Sequence, residues 1–325
     1  VGVQKLIYQP GLSLLELITD DTISGVFRLQ IFSSFSKHVR KFFKNEKLIA
    51  LMEFPVLFLG AMPKNTPALY SLMNYAGLKQ GTYYPMGGFK KVIDAMVRIA
   101  REHGVEFNVS EGIEAIEANT NSKISLTTHS RNIEVDGLIA SADYHHVESK
   151  LLKVKDRNYS EKYWDKKTFA PSSLIFYIGV NCKLDKLEHH NLFFDADFPK
   201  HAIEIYEQPQ WPSNPLFYVC CPSKTDPSVA PEGKENLFVL MPIAPGIADE
   251  EEIRDRYYNL ILTRMEAFTG VSIRENIDYI KSYCVKDFVE DYNSYKGNAY
   301  GLANTLMQTA NFKPSIKNKN IPNFY

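Results

Sequence analysis

The 325-residue sequence has almost no net charge, few cysteines and no long apolar run, and each shortage excludes a class of protein. With 37 Lys and Arg against 38 Asp and Glu, it lacks the basic surplus of a nucleic-acid-binding face. The four cysteines form no C-x-x-C motif, so we expect reduced thiols in the core of a cytoplasmic protein. The longest apolar stretch, FPVLFLGAM at 54–62, is too short to span a membrane.

The composition that is present favours a packed protein of one large domain or two ordinary ones. Hydrophobic residues make up 45% of the chain and charged residues 23%, which favours a core over disorder. Aromatic residues make up 13%, and they suit either a large apolar cavity or an ordinary core. The chain starts at Val1 and stops at NIPNFY, and we expect both ends to be internal to a longer protein.

The first fifty residues are predicted to be mainly helical, over 12–18 and over 22–43, where apolar residues recur at helical spacing. The second helix ends in a basic segment that carries Phe42 and Phe43. Its cationic residues are Lys37, His38, Arg40, Lys41 and Lys44. Two interpretations stay open: a solvated helix end whose cations suit the dipole, or a surface that rests on anionic lipid head groups.

The stretch from 81 to 150 has the pattern of the second half of a dinucleotide-binding fold. GTYYPMGGFKK at 81–91 places a glycine pair before a helix that Gly104 is suited to end. The predicted apolar face of this helix comprises Phe89, Val92, Ile93, Met96 and Ala100. VEFNV at 105–109 alternates like a strand, and a meander of short strands follows. LIASAD at 138–143 is predicted as the strand that ends this half. No G-x-G-x-x-G motif occurs in the sequence.

From about residue 168 the pattern predicts a mostly antiparallel sheet with helices. The strand candidates are SSLIFYIGV, LFYVCCPS, ENLFVLMPI and IDYIKSYCV. One long helix is predicted over 249–268. Its buried stripe comprises Ile253, Tyr257, Leu260, Ile261, Met265 and Phe268.

Residues alone reveal no nucleophile, acid–base pair or metal site. The tight ligand clusters are the pairs His145-His146 and His189-His190, and neighbouring side chains on one element are expected to diverge. The acidic residues Asp287, Glu290 and Asp291 share one helical face, which is typical of a solvated surface. No metal is predicted. This pattern is expected when a cofactor carries the chemistry and the protein supplies the shape of the site.

Four stretches in order along the chain resemble the bacterial carotenoid desaturases of the phytoene desaturase type, which are FAD enzymes of the amine-oxidase-like superfamily. The most specific is FPVLFLGAMPKNTPALYSLMNYAGLKQGTYYPMGGF at 54–89. LIASADY, DPSVAPEGKENLFVLMPI and NAYGLANTLMQTANFKP followed by NIPNFY resemble further family segments downstream. Members often carry Pro where this chain has Asn304. The resemblance covers nearly the whole chain, but the family's two glycine-rich FAD segments would lie before Val1 and after Tyr325.

The resemblance implies an α/β fold, with the second half of a dinucleotide-binding FAD domain and an α+β substrate domain. The implied division is a helical substrate- and membrane-facing part at 1–80, an FAD-domain portion at 81–150, a substrate domain at 151–290 and a return segment at 291–325. The cofactor-binding residues it implies are Pro85, Gly87, Gly88, Ile113, Ala142 and Asp143. The implied walls of a polyene channel are Phe54, Phe58, Tyr75, Tyr83, Tyr84 and Phe176. The alternative for the 81–89 segment is a strand-to-helix turn with core aromatics.

The activity implied by the resemblance is FAD-dependent desaturation of a linear, phytoene-like carotenoid precursor, with no catalytic base identified. A later-step desaturase, an isomerase or a saturase of the same superfamily stays open. So does a non-catalytic module for apolar ligands, while an NAD-linked dehydrogenase lacks a supporting acid–base dyad. The resemblance implies a polyene substrate and a cytoplasmic protein that associates peripherally with the inner face of the cell membrane. No nucleic-acid partner is expected. The sequence leaves the oligomeric state undetermined.

Overall fold

The computed structural model describes residues 33–57, 60–119, 123–308 and 312–325. The helix predicted over 12–18, the first part of the one over 22–43, and Phe58 lie outside the described residues. The α-helices of the described part are α1 Phe35–Phe42, α2 Glu46–Leu57, α3 Ser71–Tyr75, α4 Phe89–Glu102, α5 Tyr144–His146, α6 Glu161–Asp165, α7 Phe198–Tyr206, α8 Glu251–Thr269 and α9 Val285–Tyr292. The strands are β1 Ile113–Ala118, β2 Ile124–Thr128, β3 Asn132–Val135, β4 Ser172–Val180, β5 His190–Phe193, β6 Phe217–Cys220, β7 Glu235–Ile243 and β8 Ile277–Tyr283.

A five-stranded antiparallel sheet in the order β5-β6-β7-β4-β8 dominates the second half of the chain. Four of its strands are those that the sequence predicts, whereas β5 was not predicted. Together with the helices, this sheet confirms the predicted α/β class with an antiparallel, α+β part.

The two faces of this sheet differ, because successive side chains of a strand point to opposite sides. On one face, Phe176 and Met241 are buried in the main core beneath α8, whose Ile261 and Met265 are also buried. The predicted helix is therefore confirmed, although Phe268 at its end is about half exposed. The opposite face carries the alternate residues of the same strands, of which Tyr177 is 41% exposed while Ile175 and Leu240 are buried. We call it the open face, and its central residues are Ile175, Tyr177, Tyr218, Phe238 and Leu240.

A second, three-stranded sheet in the order β1-β2-β3 forms the predicted meander. Its buried residues Ile116 and Ile124 pack in a small core with Val147, Ile321 and Phe324. Residues from the end of the chain thus complete a core that begins two hundred residues earlier. This packing brings the stretch after 313 back to the elements around 140.

Two predicted strands are wrong. Residues 105–109 form no strand among the described elements, and Val109 is exposed. Residues 138–143 are also outside the strands, although Leu138 forms an isolated parallel bridge with Phe324. A strand requires a hydrogen-bonded neighbour as well as alternating side chains, and the described part supplies 105–109 with none.

Helix α4 forms where predicted, and Gly104 follows its end with φ +80°. Its N-cap is Gly88, at φ +83° and ψ 172°, a region that residues with a Cβ rarely adopt. The predicted apolar face is not buried: Phe89, Ile93 and Met96 are all exposed in the described part. The bounds of α4 therefore follow from its local residue pattern and its flanking glycines. Among the described residues, no element packs on its apolar face.

Candidate functional site

A cavity of about 700 Å³ lies where the chain around 140 meets the chain around 320. The backbone N–H of Leu138 donates to the carbonyl of Asn323, and that of Ala140 donates to the carbonyl of Tyr325. Side chains from 139–148, 158–169, 300–302 and 313–325 line the cavity. The site is thus assembled from stretches far apart in the sequence. Among the predicted site residues, it contains Ala142 and Asp143.

One wall of the cavity is aromatic. The rings of Tyr144 and Trp164 lie 5.3 Å apart, and Phe169 contributes a further ring. His145 also lines the cavity; its ring lies 3.8 Å from that of Tyr295, and its Nε2 is 2.9 Å from a Glu161 oxygen. These flat faces offer contact area to a flat ligand.

The polar groups of the wall are held by hydrogen bonds. Asp143 caps helix α5 by accepting from the N–H of His146 at 3.0 Å, and its other oxygen accepts from the N–H of Tyr295. The Tyr144 hydroxyl donates to the carbonyl of Ser315 at 2.7 Å. Burial raises the pKa of Tyr144 to about 12 and raises the pKa of the buried Glu148 carboxyl. The cavity wall is therefore a weakly polar environment that favours neutral side chains.

A second group of side chains lies at the β5–β6 edge of the open face. The rings of His189 and His190 are 4.4 Å apart, and the ring of Tyr84 meets His189 edge-on at 5.0 Å. His190 Nδ1 is 2.6 Å from the Tyr218 hydroxyl. The expectation that the adjacent imidazoles diverge is wrong, because His189 precedes β5 and is free of the strand's alternation. No sequence pattern indicated this group, since it depends on the pairing of β5 with β6.

Comparisons with known proteins identify the family. Residues 18–325 match the family described as flavin containing amine oxidoreductase. The chain belongs to this family. It is 39% identical, over its full length, to a carotenoid 3,4-desaturase of Haloarcula japonica, and 28% identical over 96% of its length to a zeta-carotene-forming phytoene desaturase of Myxococcus xanthus. The solved structure of an oxidoreductase from Methanosarcina mazei has the same fold, with a TM-score of 0.58 over 93% of the chain at 15% identity.

The amine oxidoreductase chain spans only part of these proteins. It covers 66% of the Haloarcula protein, 60% of the Myxococcus protein and 65% of the Methanosarcina chain. In the part of the chain that the structure describes, no helix is both long and apolar enough to cross a bilayer.

The residues around the cavity fit part of a flavin nucleotide, the cofactor class of the amine oxidoreductase family. A Cβ added at Gly301, which lines the cavity at φ +77°, would meet no heavy atom within 4 Å, so the space above it is open. The aromatic wall suits a flat ring system. The volume lies within the roughly 300–1,000 Å³ of ordinary cofactor sites. The buried indole N–H of Trp164 also lacks a hydrogen-bond partner among the described residues.

The other predicted cofactor residues do not line this cavity. Ile113 begins β1 and packs against the small core, and Pro85, Gly87 and Gly88 lie in the loop before α4. The N–H of Gly87 donates to a carboxylate oxygen of Asp226 at 2.5 Å, which ties that loop to the segment between β6 and β7. Their role toward FAD stays a prediction.

The predicted channel residues divide between several places. Phe54 of α2 meets Phe194 edge-on at 5.5 Å and lines a small apolar gap with Tyr218 and Leu240 of the open face. Tyr84 lies at the β5–β6 edge, whereas Tyr75 and Tyr83 are exposed. Phe176 lies on the opposite, α8-covered face, because its strand alternates. The neighbouring Tyr177 faces the open side, where its ring lies 5.6 Å from that of Phe238.

Proposed function

We propose that the protein uses FAD to introduce double bonds into a carotenoid. The observation that carries this proposal is the 39% identity, along the whole chain, to a protein named carotenoid 3,4-desaturase. Relatives named phytoene desaturase support the same substrate class. Because the chain spans about two thirds of these relatives or less, the proposal concerns the protein of which this chain is the matching part.

The residues suit a substrate that is a flat, apolar chain. The open face presents Tyr177, Phe238 and Leu240 side by side, and Phe54 approaches the same face from α2. A hydrocarbon offers no polar handle, so these walls select by length and shape and exclude water. FAD, when bound, supplies the acceptor for the hydride that leaves the substrate.

Two desaturation steps are candidates for the reaction, an early one and a later one. The Haloarcula relative favours a later desaturation, and the phytoene desaturases favour the first ones. We propose desaturation of a linear, phytoene-like polyene, with the later step as the second candidate. Product analysis with phytoene and with a more unsaturated carotenoid distinguishes the two.

We propose Ala142 and Asp143 as residues beside the nucleotide, with Ile113 and the Pro85–Gly88 loop as further candidates. Ala142 is exposed at the cavity, and the Asp143 carboxylate fixes the start of α5 next to it. A bulky side chain at Ala142 would occupy the space that the nucleotide needs, without removing a buried contact.

The experiment measures flavin in the purified protein. We expect the visible absorption of a flavin, release of free FAD by heat or acid, and loss of FAD in Ala142→Trp. The matched control is Ala118→Trp, an exposed alanine of β1 away from the cavity, which should keep its flavin. A colourless protein that stays colourless after FAD is added contradicts the proposal and favours a non-catalytic module for apolar ligands.

We also propose that α1 docks on the membrane surface. Lys37, Arg40, Lys41 and Lys44 are all exposed, and the ring of Phe42 beside them is 70% exposed. A substrate that dissolves only in lipid must enter from a bilayer, and a basic surface with an exposed ring suits anionic head groups.

A further inference from the structure

Three potential metal ligands converge at the β5–β6 edge of the open face. His190 and Cys220 are paired residues of β5 and β6, so their side chains point to the same side of the sheet. His189 comes immediately before β5. One ligand atom from each residue, a ring nitrogen or the sulfur, lies within 4.8 Å of the other two.

We propose that His189, His190 and Cys220 bind a Zn²⁺ ion. Two imidazoles and one thiolate are ligands that Zn²⁺ prefers, and the resulting charge is balanced in part by the thiolate. The site is separate from the cavity at 139–169, and the proposal does not depend on flavin chemistry.

The distances are close to those of a bound ion. With Zn–N of about 2.0–2.1 Å and Zn–S of about 2.3 Å, tetrahedral ligand atoms lie about 3.3–3.6 Å apart. The ligand atoms of the cluster are separated by at most 4.8 Å, so each pair needs to approach by no more than about 1.5 Å. The backbones of His190 and Cys220 are already paired in the sheet, so the proposal assigns this approach to their side chains.

Hydrogen bonds orient both imidazoles as they do in metal sites. His189 Nδ1 lies 2.6 Å from the Thr225 hydroxyl, and His190 Nδ1 lies 2.6 Å from the Tyr218 hydroxyl. When each Nδ1–H donates to its hydroxyl, Nε2 keeps the lone pair that a metal needs. An oxygen partner on the second ring nitrogen is the usual companion of a metal-binding histidine, since it fixes the tautomer and the ring plane.

The cluster is accessible to an incoming ion. His190 is exposed, and His189 and Cys220 are partly exposed. Three protein ligands leave a fourth position, which a water molecule can occupy. The other cysteines differ: Cys221 and Cys284 are buried, and Cys182 is partly exposed but is not part of this group.

The first experiment measures metal binding by the full chain. After removal of metals with a chelator, we expect about one Zn²⁺ to bind per chain, and Co²⁺ to give a sulfur-to-metal charge-transfer band. Cys220→Ser should abolish that band, and His190→Gln should weaken Zn²⁺ binding by about tenfold or more. Cys182→Ser and His103→Gln, each at a residue outside the cluster, should leave both readouts unchanged.

A second measurement needs no substitution. Zn²⁺ should protect Cys220, but not Cys182, from alkylation by iodoacetamide, and fragment masses separate Cys220 from the buried Cys221. Failure to bind Zn²⁺, or equal protection of Cys182 and Cys220, would overturn the proposal. Undiminished Zn²⁺ binding by folded Cys220→Ser and His190→Gln variants would also overturn it, because the ion would then bind elsewhere. Any of these results would mean that His189, His190 and Cys220 form hydrogen bonds there but no metal site.

Discussion

The side chain of Tyr84, in the loop before α4, contacts His189 at the β5–β6 edge of the five-stranded sheet. Its ring is half buried and meets the His189 ring edge-on, and burial, with the nearby Asp226 and Cys220, raises the pKa of its hydroxyl. Because the contact is made by the ring, Tyr84→Phe should keep most of the proposed desaturase activity. Tyr84→Ala should change the rate or the number of double bonds introduced, at a stability cost below the ~3–5 kcal/mol of a fully buried ring.

The matched control for Tyr84 is its neighbour Tyr83, which is 85% exposed and whose hydroxyl donates to the carbonyl of Gln80. Tyr83→Ala should leave the product pattern unchanged. The measurement is product composition per bound flavin. An unchanged pattern in Tyr84→Ala, with only a lower melting temperature, would assign Tyr84 to packing alone.

His201 should make stability depend on pH. It is buried in α7, its Nε2–H donates to the carbonyl of Pro242 at 2.9 Å, and its Nδ1 accepts from the N–H of Leu216 at 3.0 Å. The contact with Leu216 requires the neutral ring, because Nδ1 must accept, whereas the contact with Pro242 can be made by either form. Burial lowers the pKa of His201 to about 4 from an ordinary 6.5. Between these values the unfolded chain binds one more proton than the folded chain, so stability falls as the pH falls.

The expected loss from this histidine is ~3 kcal/mol of unfolding free energy between pH 6.5 and about 4, and none above that range. Urea unfolding at several pH values measures it. His201→Gln, which can keep a donor and an acceptor, should reduce the pH dependence, while His103→Gln at an exposed position should not. Equal slopes for the wild type and His201→Gln would show that other groups cause the pH dependence.

At the scale of one element, helix α1 is the proposed membrane-docking surface. Its Ser34 cap accepts from the N–H of Lys37, and Phe35 and Val39 are buried, so its basic face is held toward solvent. Arg40 is paired with Glu46 at 3.0 Å, so it is left unchanged in the test variant. Replacing Lys37, Lys41 and Lys44 by Glu should weaken sedimentation with anionic liposomes, and added salt should have the same effect on the wild type.

The control for α1 replaces three exposed lysines elsewhere by Glu, which gives the same change in net charge. These are Lys155, Lys162 and Lys166. This variant should bind the liposomes nearly as well as the wild type. If both triple variants lose binding equally, the attraction depends on net charge and not on α1.

At the scale of the complete chain, Asn318 joins the end of the sequence to its middle. Its side chain is buried, its Nδ2 donates to the carbonyl of Asp156, and its Oδ1 accepts from the N–H groups of Asn320 and Ile321. Asn318→Ala leaves these groups unpaired, which should cost about 1–3 kcal/mol of stability. Since 313–325 also line the cavity, we expect weaker FAD binding in the same variant.

Asn320→Ala is the comparison for this prediction. Within the described residues, the exposed Asn320 side chain makes one hydrogen bond, to the carbonyl of Arg157. It should lose less stability and less FAD affinity than Asn318→Ala. Urea unfolding and FAD titration measure the two effects. If Asn318→Ala lowers stability but binds FAD with full affinity, the hydrogen bonds of Asn318 do not contribute to the cofactor site.

The periodic elements were predictable because their signal lies in contiguous residues. Strands β4 and β7 and helix α8 each have one buried face that repeats at the spacing of their own backbone, so burial and local geometry agree. Ala142 and Asp143 were placed at a site by resemblance, and they do line the cavity. Phe176 was assigned to the channel because the sequence does not indicate which face of a strand will be covered.

What depends on distant pairing was not predictable. The alternation at 105–109 predicted a strand, but a strand needs a partner, and the described part provides none. The convergence of His189, His190 and Cys220 depends on the register between β5 and β6, which no local pattern records. The cavity likewise exists because 313–325 return to 138–158. Local periodicity set the elements of this protein, while long-range hydrogen bonds and packing, which join residues without sequence proximity, set its sites.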